Sequence, residues 1–224
     1  VQEGDHLDVP NRACLPYKYI RSLGMGSCAF VEMAQDETNG QVFALKHLRR
    51  YQGRNLNQFK RAFQNEVDIL RRLSLNPHII KAFATWGSGR ELGIVMTPVA
   101  DGGDLASFLQ TIVDLGNLPT TEQYTILNRA FGCLASGLAF IHKQTIRHKD
   151  IKPQNILIHQ GYVIYTDFGI ALDTSQLENT TTDGTTYAFT FRYCAPEVAS
   201  SEKRNRKSDV FSLGCVFAEI LSVL

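Results

Sequence analysis

The sequence lacks the features that mark several classes of protein. Its five cysteines are irregularly spaced and none belongs to a Cys-x-x-Cys pair, which favours free thiols over a disulfide scaffold or a zinc site. It has no run of about 18 apolar residues and no N-terminal signal-peptide pattern, so we expect no membrane span and an intracellular location, cytoplasmic or nuclear. Neither charge dominates, because 23 Lys and Arg stand against 22 Asp and Glu, so bulk charge gives no case for binding nucleic acid.

The composition is that of a globular protein. Hydrophobic residues make up 44% of the 224 residues, which excludes a disordered or collagen-like chain. Residues 1–16 are polar and contain two prolines, so they predict a lead-in arm. The chain starts at Val1 instead of Met and stops at Leu224 within an apolar helical stretch, so we expect a fragment of a longer protein.

The front of the chain predicts β-structure and the back predicts helices. Asn39-Gly40 is a strong signal for a two-residue hairpin turn, because both residues tolerate positive φ. Apolar residues at helical spacing predict a first helix after this hairpin, and the change to mainly helical sequence falls near 97–103. The predicted strands are 30–34, 42–46, 79–85 and 92–99, and the predicted helices are 56–73, 105–114 and 122–143.

Two weak signals lie in the β-rich part. Gly24 and Gly26 would let the backbone approach a phosphate group closely, although a Gly-x-Gly between strands is as often a simple turn. A dinucleotide-binding fold would need a helix directly after the glycines, and a strand follows instead, so that interpretation fails. Lys46 ends an apolar strand, where an amine is costly unless it is paired; Glu66 on the next helix is a candidate partner, although a lone lysine more often extends to the surface.

A third set of residues carries more specific chemistry. The segment His148-Lys149-Asp150-Ile151-Lys152-Pro153-Gln154-Asn155 is followed by Asp167-Phe168-Gly169 and then by Ala195-Pro196-Glu197. Transfer of a phosphoryl group needs a carboxylate such as Asp150 to orient a hydroxyl and accept its proton, and a cation such as Lys152 to steady the phosphate. Asn155 and Asp167 supply hard oxygen ligands suited to Mg²⁺. A chance polar loop is the alternative, and the order and spacing of the motifs disfavour it.

Together these motifs resemble those of the eukaryotic protein kinases, serine/threonine branch, over residues 17–224. The resemblance implies an α+β, bilobal protein kinase fold. A small lobe (17–96) would hold a five-stranded antiparallel sheet and one helix, a hinge (97–103) would follow, and a larger, mainly helical lobe (104–224) would lack its C-terminal helices. It also implies that ATP and Mg²⁺ bind in the crevice between the lobes, and that the γ-phosphoryl group passes to Ser or Thr hydroxyls of a protein substrate.

The resemblance assigns roles to individual residues. Lys46 would hold the ATP phosphates with Glu66 orienting it, Thr190 would contact the Asp and Lys of the catalytic loop, and Asp209 would hold the backbone of that loop. Thr186 is a candidate phosphosite on the activation loop, with a solvated Thr-rich loop as the alternative. The remaining ATP-binding assignments are Leu23, Gly24 and Gly26 over the phosphates, Val31, Ala44 and Leu157 around the adenine, Met96 as gatekeeper, Thr97 and Val99 in the hinge, and Asp104 at the ribose.

Four departures from the family pattern leave alternatives open: Ala29 in place of the third loop glycine, Lys149 in place of the common Arg, Phe189 before Thr190, and the small Ala82. They allow a pseudokinase that acts as an ATP-binding or protein-binding scaffold, although every charged catalytic group is present. A small-molecule phosphotransferase of related fold is a further alternative. The basic run 203–207 is expected to be solvated, with a docking patch for an acidic partner as the sharper alternative. The sequence gives no indication of oligomeric state.

Overall fold

The chain folds into two compact units, an α+β architecture in agreement with the predicted class. The computed structural model describes residues 1–26, 29–48, 55–89, 91–116, 118–175, 190–202 and 204–224. The first unit comprises Val1–Ser74 and Ile80–Val99, and the second comprises Leu75–Ile79 and Ala100–Leu224. The elements of the first unit are β1 (His6–Asp8), β2 (Tyr17–Met25), β3 (Ala29–Asp36), β4 (Val42–Leu48), α1 (Leu56–Leu73), β5 (Lys81–Ser88) and β6 (Glu91–Thr97).

The first unit is built on a sheet of strand order β1-β5-β6-β4-β3-β2. Successive residues of a strand point to opposite faces, so Phe43 and Leu45 of β4 face one side while Ala44 and Lys46 face the other. Phe43 and Leu45 are almost fully buried and pack with Trp86 in the core of this unit. The predicted turn at Asn39-Gly40 joins β3 to β4, and Gly40 has a φ of +76°, which glycine adopts without strain.

The first residues of the chain differ from the prediction. His6–Asp8 forms β1, which pairs in parallel with β5, so the sheet of this unit has six strands where five were predicted. Backbone hydrogen bonds from Gly4 N to Phe83 O (2.7 Å) and from Val9 N to Gly87 O (3.0 Å) extend this pairing at both ends. The segment from Gly4 to Val9 is therefore paired with the sheet, because the exposed edge of β5 offers backbone groups that polar residues can pair with as well as apolar ones can.

Helix α1 has the predicted bounds. Asn55 caps its first turn by accepting a hydrogen bond from Asn57 N at 3.0 Å, and Phe59, Phe63 and Leu70 on one face are buried. The next strand, β5, begins at Lys81, two residues after the predicted start. The preceding residues form a turn in which Asn76 accepts hydrogen bonds from the backbone, and they belong to the second unit.

The second unit is organised around a long helix. Its elements are α2 (Leu105–Leu115), α3 (Thr121–Lys143), β7 (Ile146–Arg147), β8 (Ile156–His159), β9 (Tyr162–Tyr165), β10 (Leu172–Asp173), α4 (Pro196–Ala199) and α5 (Lys207–Leu221). At the start of α3, the Thr120 side chain accepts a hydrogen bond from the Gln123 backbone N–H and the Gln123 side chain accepts one from the Thr120 backbone N–H, as the Pro119-Thr120 start signal predicts. By length and composition α3 could cross a membrane, but Leu127 and Leu134 are fully buried against this unit, as in a core helix of a folded domain.

Candidate active site

In the first unit, Lys46 and Glu66 form a buried ion pair. The distance from Lys46 Nζ to Glu66 Oε1 is 2.6 Å, and the two side chains are 9% and 2% exposed. β4 supplies the lysine on the face opposite Phe43, and α1 supplies the glutamate beside its apolar stripe. The pair keeps an ammonium group inside an apolar strand, where an amine without a counter-charge would be costly.

The other residues predicted to bind ATP in the first unit lie on neighbouring strands. Gly24 pairs with Val31 across β2 and β3, and Val31 pairs with Lys46 across β3 and β4. Gly26 N donates to Ala29 O at 2.8 Å, a hydrogen bond between the residue that follows β2 and the first residue of β3. Leu23 lies in β2, Ala44 and Met96 pair across β4 and β6 with both side chains buried, Thr97 ends β6, and Val99 follows it. Their roles toward ATP remain predictions.

In the second unit, Asp150 is the centre of a hydrogen-bonded cluster. Its Oδ2 accepts from Lys152 Nζ at 2.7 Å and from Asn155 Nδ2 at 2.9 Å, and its Oδ1 accepts from Thr190 Oγ1 at 3.1 Å. Lys152 Nζ also donates to Thr190 Oγ1 at 2.9 Å. The structure thus brings together four residues that are as many as 40 positions apart in the sequence.

Asp209 supports the loop that carries Asp150. Its carboxylate accepts hydrogen bonds from the backbone N–H groups of His148 and Lys149, both at 2.9 Å, and lies 3.0 Å from Nε2 of His142. Lys149 has a φ of +70°, a left-handed conformation that is uncommon for lysine. Burial alone would raise the pKa of Asp209, but the hydrogen bonds and the nearby imidazoles outweigh burial and lower that pKa.

His148 connects this loop to the segment around Asp167. Its Nε2 lies 3.1 Å from Thr166 O, and its Nδ1 accepts a long hydrogen bond from Asp150 N at 3.4 Å. A carbonyl only accepts, so Nε2 carries the proton and the ring is neutral. The side chain is fully buried, and this burial lowers the pKa of His148 below its ordinary value despite the nearby carboxylates.

The two predicted metal ligands are Asn155, which is bonded to Asp150, and Asp167, which follows the Thr166 carbonyl that His148 contacts. Asn155 donates through Nδ2 to both the backbone O and the Oδ2 of Asp150, at 2.9 Å each. Asp167 adopts a φ of +60°, and Phe168 after it is fully buried against the ring of His148, with centroids 4.6 Å apart. In the part of the chain that the structure describes, no cluster of three or more His, Cys, Asp or Glu could hold a metal ion.

Two further predicted ATP-binding residues, Asp104 and Leu157, form an isolated β-bridge in the second unit. The Asp104 carboxylate caps helix α2 by accepting from Ser107 N at 2.9 Å and from Ser107 Oγ at 2.8 Å. This capping is a structural role that the sequence did not reveal. The ribose contact of Asp104 and the adenine contact of Leu157 remain predictions.

Sequence reasoning missed one feature near the catalytic loop. Arg204 belongs to the basic run that was expected to be solvated, but it is only 6% exposed, and its backbone O accepts a hydrogen bond from Nη1 of the equally buried Arg147 at 3.1 Å. The run therefore includes an arginine of the interior, and the spacing of charges gave no signal for it. The predicted phosphosite Thr186 and the departure at Phe189 lie outside the described residues.

Comparison with known proteins indicates the same family as the sequence motifs do. The family model described as protein kinase domain matches residues 17–223. The chain is 34% identical over 216 residues to the serine/threonine-protein kinase cds1 of Schizosaccharomyces pombe, an alignment that covers 92% of this chain and 44% of the relative. It is 31% identical over 211 residues to the mouse serine/threonine-protein kinase Nek5, with 92% and 31% covered.

A mitogen-activated protein kinase kinase 2 from Arabidopsis thaliana is 30% identical over 203 residues, with 89% of this chain and 52% of the relative covered. The chain therefore spans about half the length, or less, of these curated relatives.

Proposed function

Because this chain belongs to the protein kinase family, in its serine/threonine branch, we propose that it transfers the γ-phosphoryl group of ATP to Ser or Thr hydroxyls of a protein substrate. The observation that carries this proposal is the arrangement around Asp150. A carboxylate, an ammonium group, an amide and a hydroxyl are connected by hydrogen bonds of 2.7–3.1 Å. This is the equipment that phosphoryl transfer to a hydroxyl requires from a protein.

The hydrogen bonds of Asp150 indicate which of its oxygens accepts the proton of the attacking hydroxyl. A carboxylate oxygen can accept about two hydrogen bonds. Oδ2 already accepts from Lys152 and from Asn155, whereas Oδ1 accepts only from Thr190 among the described residues. Oδ1 therefore keeps the lone pair that can receive the hydroxyl hydrogen, and the bonds to Oδ2 fix the orientation of the carboxylate.

The proposed phosphoryl transfer needs no reactant besides ATP and the substrate hydroxyl. The substrate oxygen forms a bond to the γ-phosphorus, the bond from that phosphorus to the bridging oxygen of ADP breaks, and the hydroxyl proton passes to Asp150 Oδ1. Lys152 lies 2.7 Å from Oδ2, so its ammonium group is placed to offset the negative charge of the transferred phosphoryl group. Thr190 joins the lysine to the carboxylate and limits the movement of both groups.

ATP and Mg²⁺ fit the chemistry of the residues present. The buried Lys46 ammonium, held by Glu66, is a suitable contact for phosphate oxygens. Asn155 uses its Nδ2 as a donor, so its amide oxygen is the atom that would bind Mg²⁺, together with the carboxylate of Asp167. When bound, Mg²⁺ would neutralise phosphate charge. Two protein ligands match the habit of Mg²⁺, which takes its other ligands from water and phosphates.

A scaffold without turnover finds no support in the described residues. The groups that a pseudokinase would be expected to have lost are present, and those around Asp150 are hydrogen-bonded to one another. The departure at Lys149 leaves the contact of the loop with Asp209 intact, since Lys149 donates to that carboxylate through its backbone N–H, a group that every residue except proline provides.

The test is transfer of labelled phosphate from γ-labelled ATP to a positional library of peptides, with the intact protein and Mg²⁺. We expect label on Ser and Thr peptides and none on matched Tyr peptides. Absence of transfer to every peptide and to a generic basic protein, with ATP bound, would instead favour the scaffold.

We further propose that the protein is intracellular, cytoplasmic or nuclear. The described cysteines Cys14, Cys133, Cys194 and Cys215 are all free, as expected in a reducing compartment. Cell fractionation tests this, and recovery of the protein only from the extracellular medium would contradict it.

A further inference from the structure

Residues 1–16, which we call the arm, are anchored to two elements of the first unit. β1 pairs with the edge of β5, and just before it Gly4 N donates to Phe83 O of β5 at 2.7 Å. The carbonyl of Gly4 accepts a hydrogen bond from Arg71 Nη2 of α1 at 3.1 Å. The first half of the arm is therefore fixed both to the sheet and to the helix that carries Glu66.

The second half of the arm holds Arg12 in place. Three residues further on, Leu15 is buried in the apolar core of the first unit. On the other side, the Asn11 side chain accepts a hydrogen bond from Ala13 N at 2.9 Å and so caps a single 3₁₀ turn that begins at Arg12. The backbone at Arg12 is thus held from both directions.

Arg12 is the outer member of a column of four stacked side chains. Its guanidinium carbon lies 5.2 Å from the ring centroid of Phe30. Phe30 stacks on His47 with centroids 4.4 Å apart and ring planes at 14°, and His47 lies 5.4 Å from the ring of Trp86. Trp86 is fully buried over Gly93, where a Cβ would lie only 2.1 Å from the indole nitrogen. The column therefore has a fixed base inside the first unit.

The column lies directly behind side chains that are predicted to contact ATP. Phe30 and His47 pair across β3 and β4 and face the arm. Val31 and Lys46 form the next pair, so they face the other side of the sheet, where Lys46 meets Glu66. The stack therefore fixes β3 against β4 within one residue of Val31 and Lys46.

Binding of ATP would depend on this alignment. β3 is the strand between β2, which carries Gly24, and β4, which carries Lys46, so a shift of β3 would move the glycine segment relative to the ammonium group. Phe30 is the second residue of β3, and little of the ladder lies beyond it. A stacked cross-strand pair stabilises the ladder at this end.

We propose that the arm is a positioning element for ATP: through Arg12 and the Phe30–His47 stack it holds the start of β3 in the arrangement that binds Mg·ATP. The inference rests on the proposed kinase function and adds a segment of the chain to the machinery of that function. Arg12 and Phe30 face away from Lys46 and act through the strands, so they are positioning residues.

The experiment measures the Kd of a non-hydrolysable ATP analogue with Mg²⁺ by isothermal titration calorimetry on the intact protein. Arg12→Ala should raise this Kd about threefold, within the range that a cation over an aromatic ring contributes at an exposed site. Arg12→Lys keeps a cation over the ring, so its Kd should lie closer to wild type. Arg61→Ala removes an exposed arginine of α1 as a control and should keep the wild-type Kd.

This readout separates positioning from a merely structural role. A loss of folded protein lowers the stoichiometry of the titration and leaves the Kd of the folded molecules unchanged. Arg12→Ala is then repeated in a Phe30→Leu background, where it should have no further effect because the ring on which it acts is absent. If Phe30→Leu fails to fold, the comparison of Arg12→Lys with Arg12→Ala decides, since equal Kd values for these two variants would contradict a role for the cation.

Two outcomes overturn the inference. One is a Kd for Arg12→Ala equal to that of wild type. The other is the same rise in Kd with and without Phe30, which would show that Arg12 does not act through the stack.

Kinetics distinguish this inference from the proposed function. The KM for ATP should rise with the Kd in Arg12→Ala, while the KM for a Ser peptide stays at the wild-type value, because the contacts of the column all lie in the first unit. A raised Kd in a protein that phosphorylates no peptide would refute the proposed function and leave the role of the arm standing. An unchanged Kd in a protein that phosphorylates Ser peptides would refute only the role of the arm, and failure of wild type to bind the analogue would refute both.

Discussion

Replacing Asp209 by asparagine tests how the catalytic loop is held. The Asp209 carboxylate is 2% exposed and accepts from two backbone N–H groups at 2.9 Å, with His142 Nε2 at 3.0 Å. The His142 ring and the His148 backbone N–H share Oδ2, and among the described residues only the Lys149 backbone N–H bonds to Oδ1. Asparagine offers one acceptor oxygen in a side chain of the same shape, so at least one of these donors must face an NH₂ group.

The cost follows from these three contacts. A buried N–H left without an acceptor costs about 1–3 kcal/mol, and each of the other two hydrogen bonds loses roughly 1 kcal/mol when its acceptor becomes neutral. We therefore expect Asp209→Asn to lower the free energy of unfolding by about 3–5 kcal/mol. Because the lost bond also holds Lys149 in its left-handed conformation, Asp150 should lose its orientation and kcat should fall by at least about tenfold.

The assay is urea denaturation of the intact protein at pH 7, followed by circular dichroism, together with steady-state kinetics on a Ser peptide. Asp114→Asn is the control, since this exposed carboxylate contacts only Gln110 among the described residues, and a change within about 0.5 kcal/mol is expected. A loss below 1 kcal/mol for Asp209→Asn would refute the energetic reasoning. A large loss of stability with wild-type kcat would refute the link to Asp150.

Three further predictions follow from the same contacts. Lys46→Met should destabilise the protein by about 3–5 kcal/mol because it removes the buried amine partner of Glu66. The double variant Lys46→Met, Glu66→Leu should recover most of that loss in urea denaturation. Equal stability of the single and double variants would contradict this. Thr190→Val should lower kcat/KM about tenfold, and Thr190→Ser should lower it much less, because serine keeps the hydroxyl between Lys152 and Asp150. Equal losses in the two variants would show that only packing matters. Burial lowers the pKa of both His148 and His47 below the ordinary histidine value of 6.5, so the unfolded chain takes up protons at these imidazoles at a higher pH than the folded protein does. Stability should therefore fall as the pH drops below about 6.5, and His47→Gln should flatten the measured slope.

The sequence predicted most of what local pattern determines. The apolar stripe gave α1 its bounds, and the Asn39-Gly40 pair located the β3–β4 hairpin. The catalytic cluster was predicted from the spacing of its motifs, because the resemblance to protein kinases provides the fold that brings Asp150 and Thr190 together. Composition alone could not have joined residues 40 positions apart.

The features that the sequence did not predict depend on contacts between distant segments. β1 is only three residues long with Leu7 as its one apolar residue, and its pairing with β5 is made by backbone groups that every sequence possesses. Arg147 and Arg204 are buried although arginine is usually exposed, because two segments 57 residues apart in the sequence enclose them. The charge of Arg204 predicted an exposed side chain. The rule that charged residues are exposed takes no account of which residues lie nearby in the folded structure.

The most direct test of the central claim is the single-turnover rate of phosphoryl transfer by Asp150→Asn, with Asp101→Asn as an exposed control in the same unit. If Asp150 Oδ1 accepts the hydroxyl proton, the rate at saturating Mg·ATP and peptide should fall by about 10²–10⁴ while ATP affinity stays within roughly threefold of wild type. The control should transfer at the wild-type rate. Transfer by Asp150→Asn at that same rate would contradict the assignment of Asp150 as the residue that orients and deprotonates the substrate.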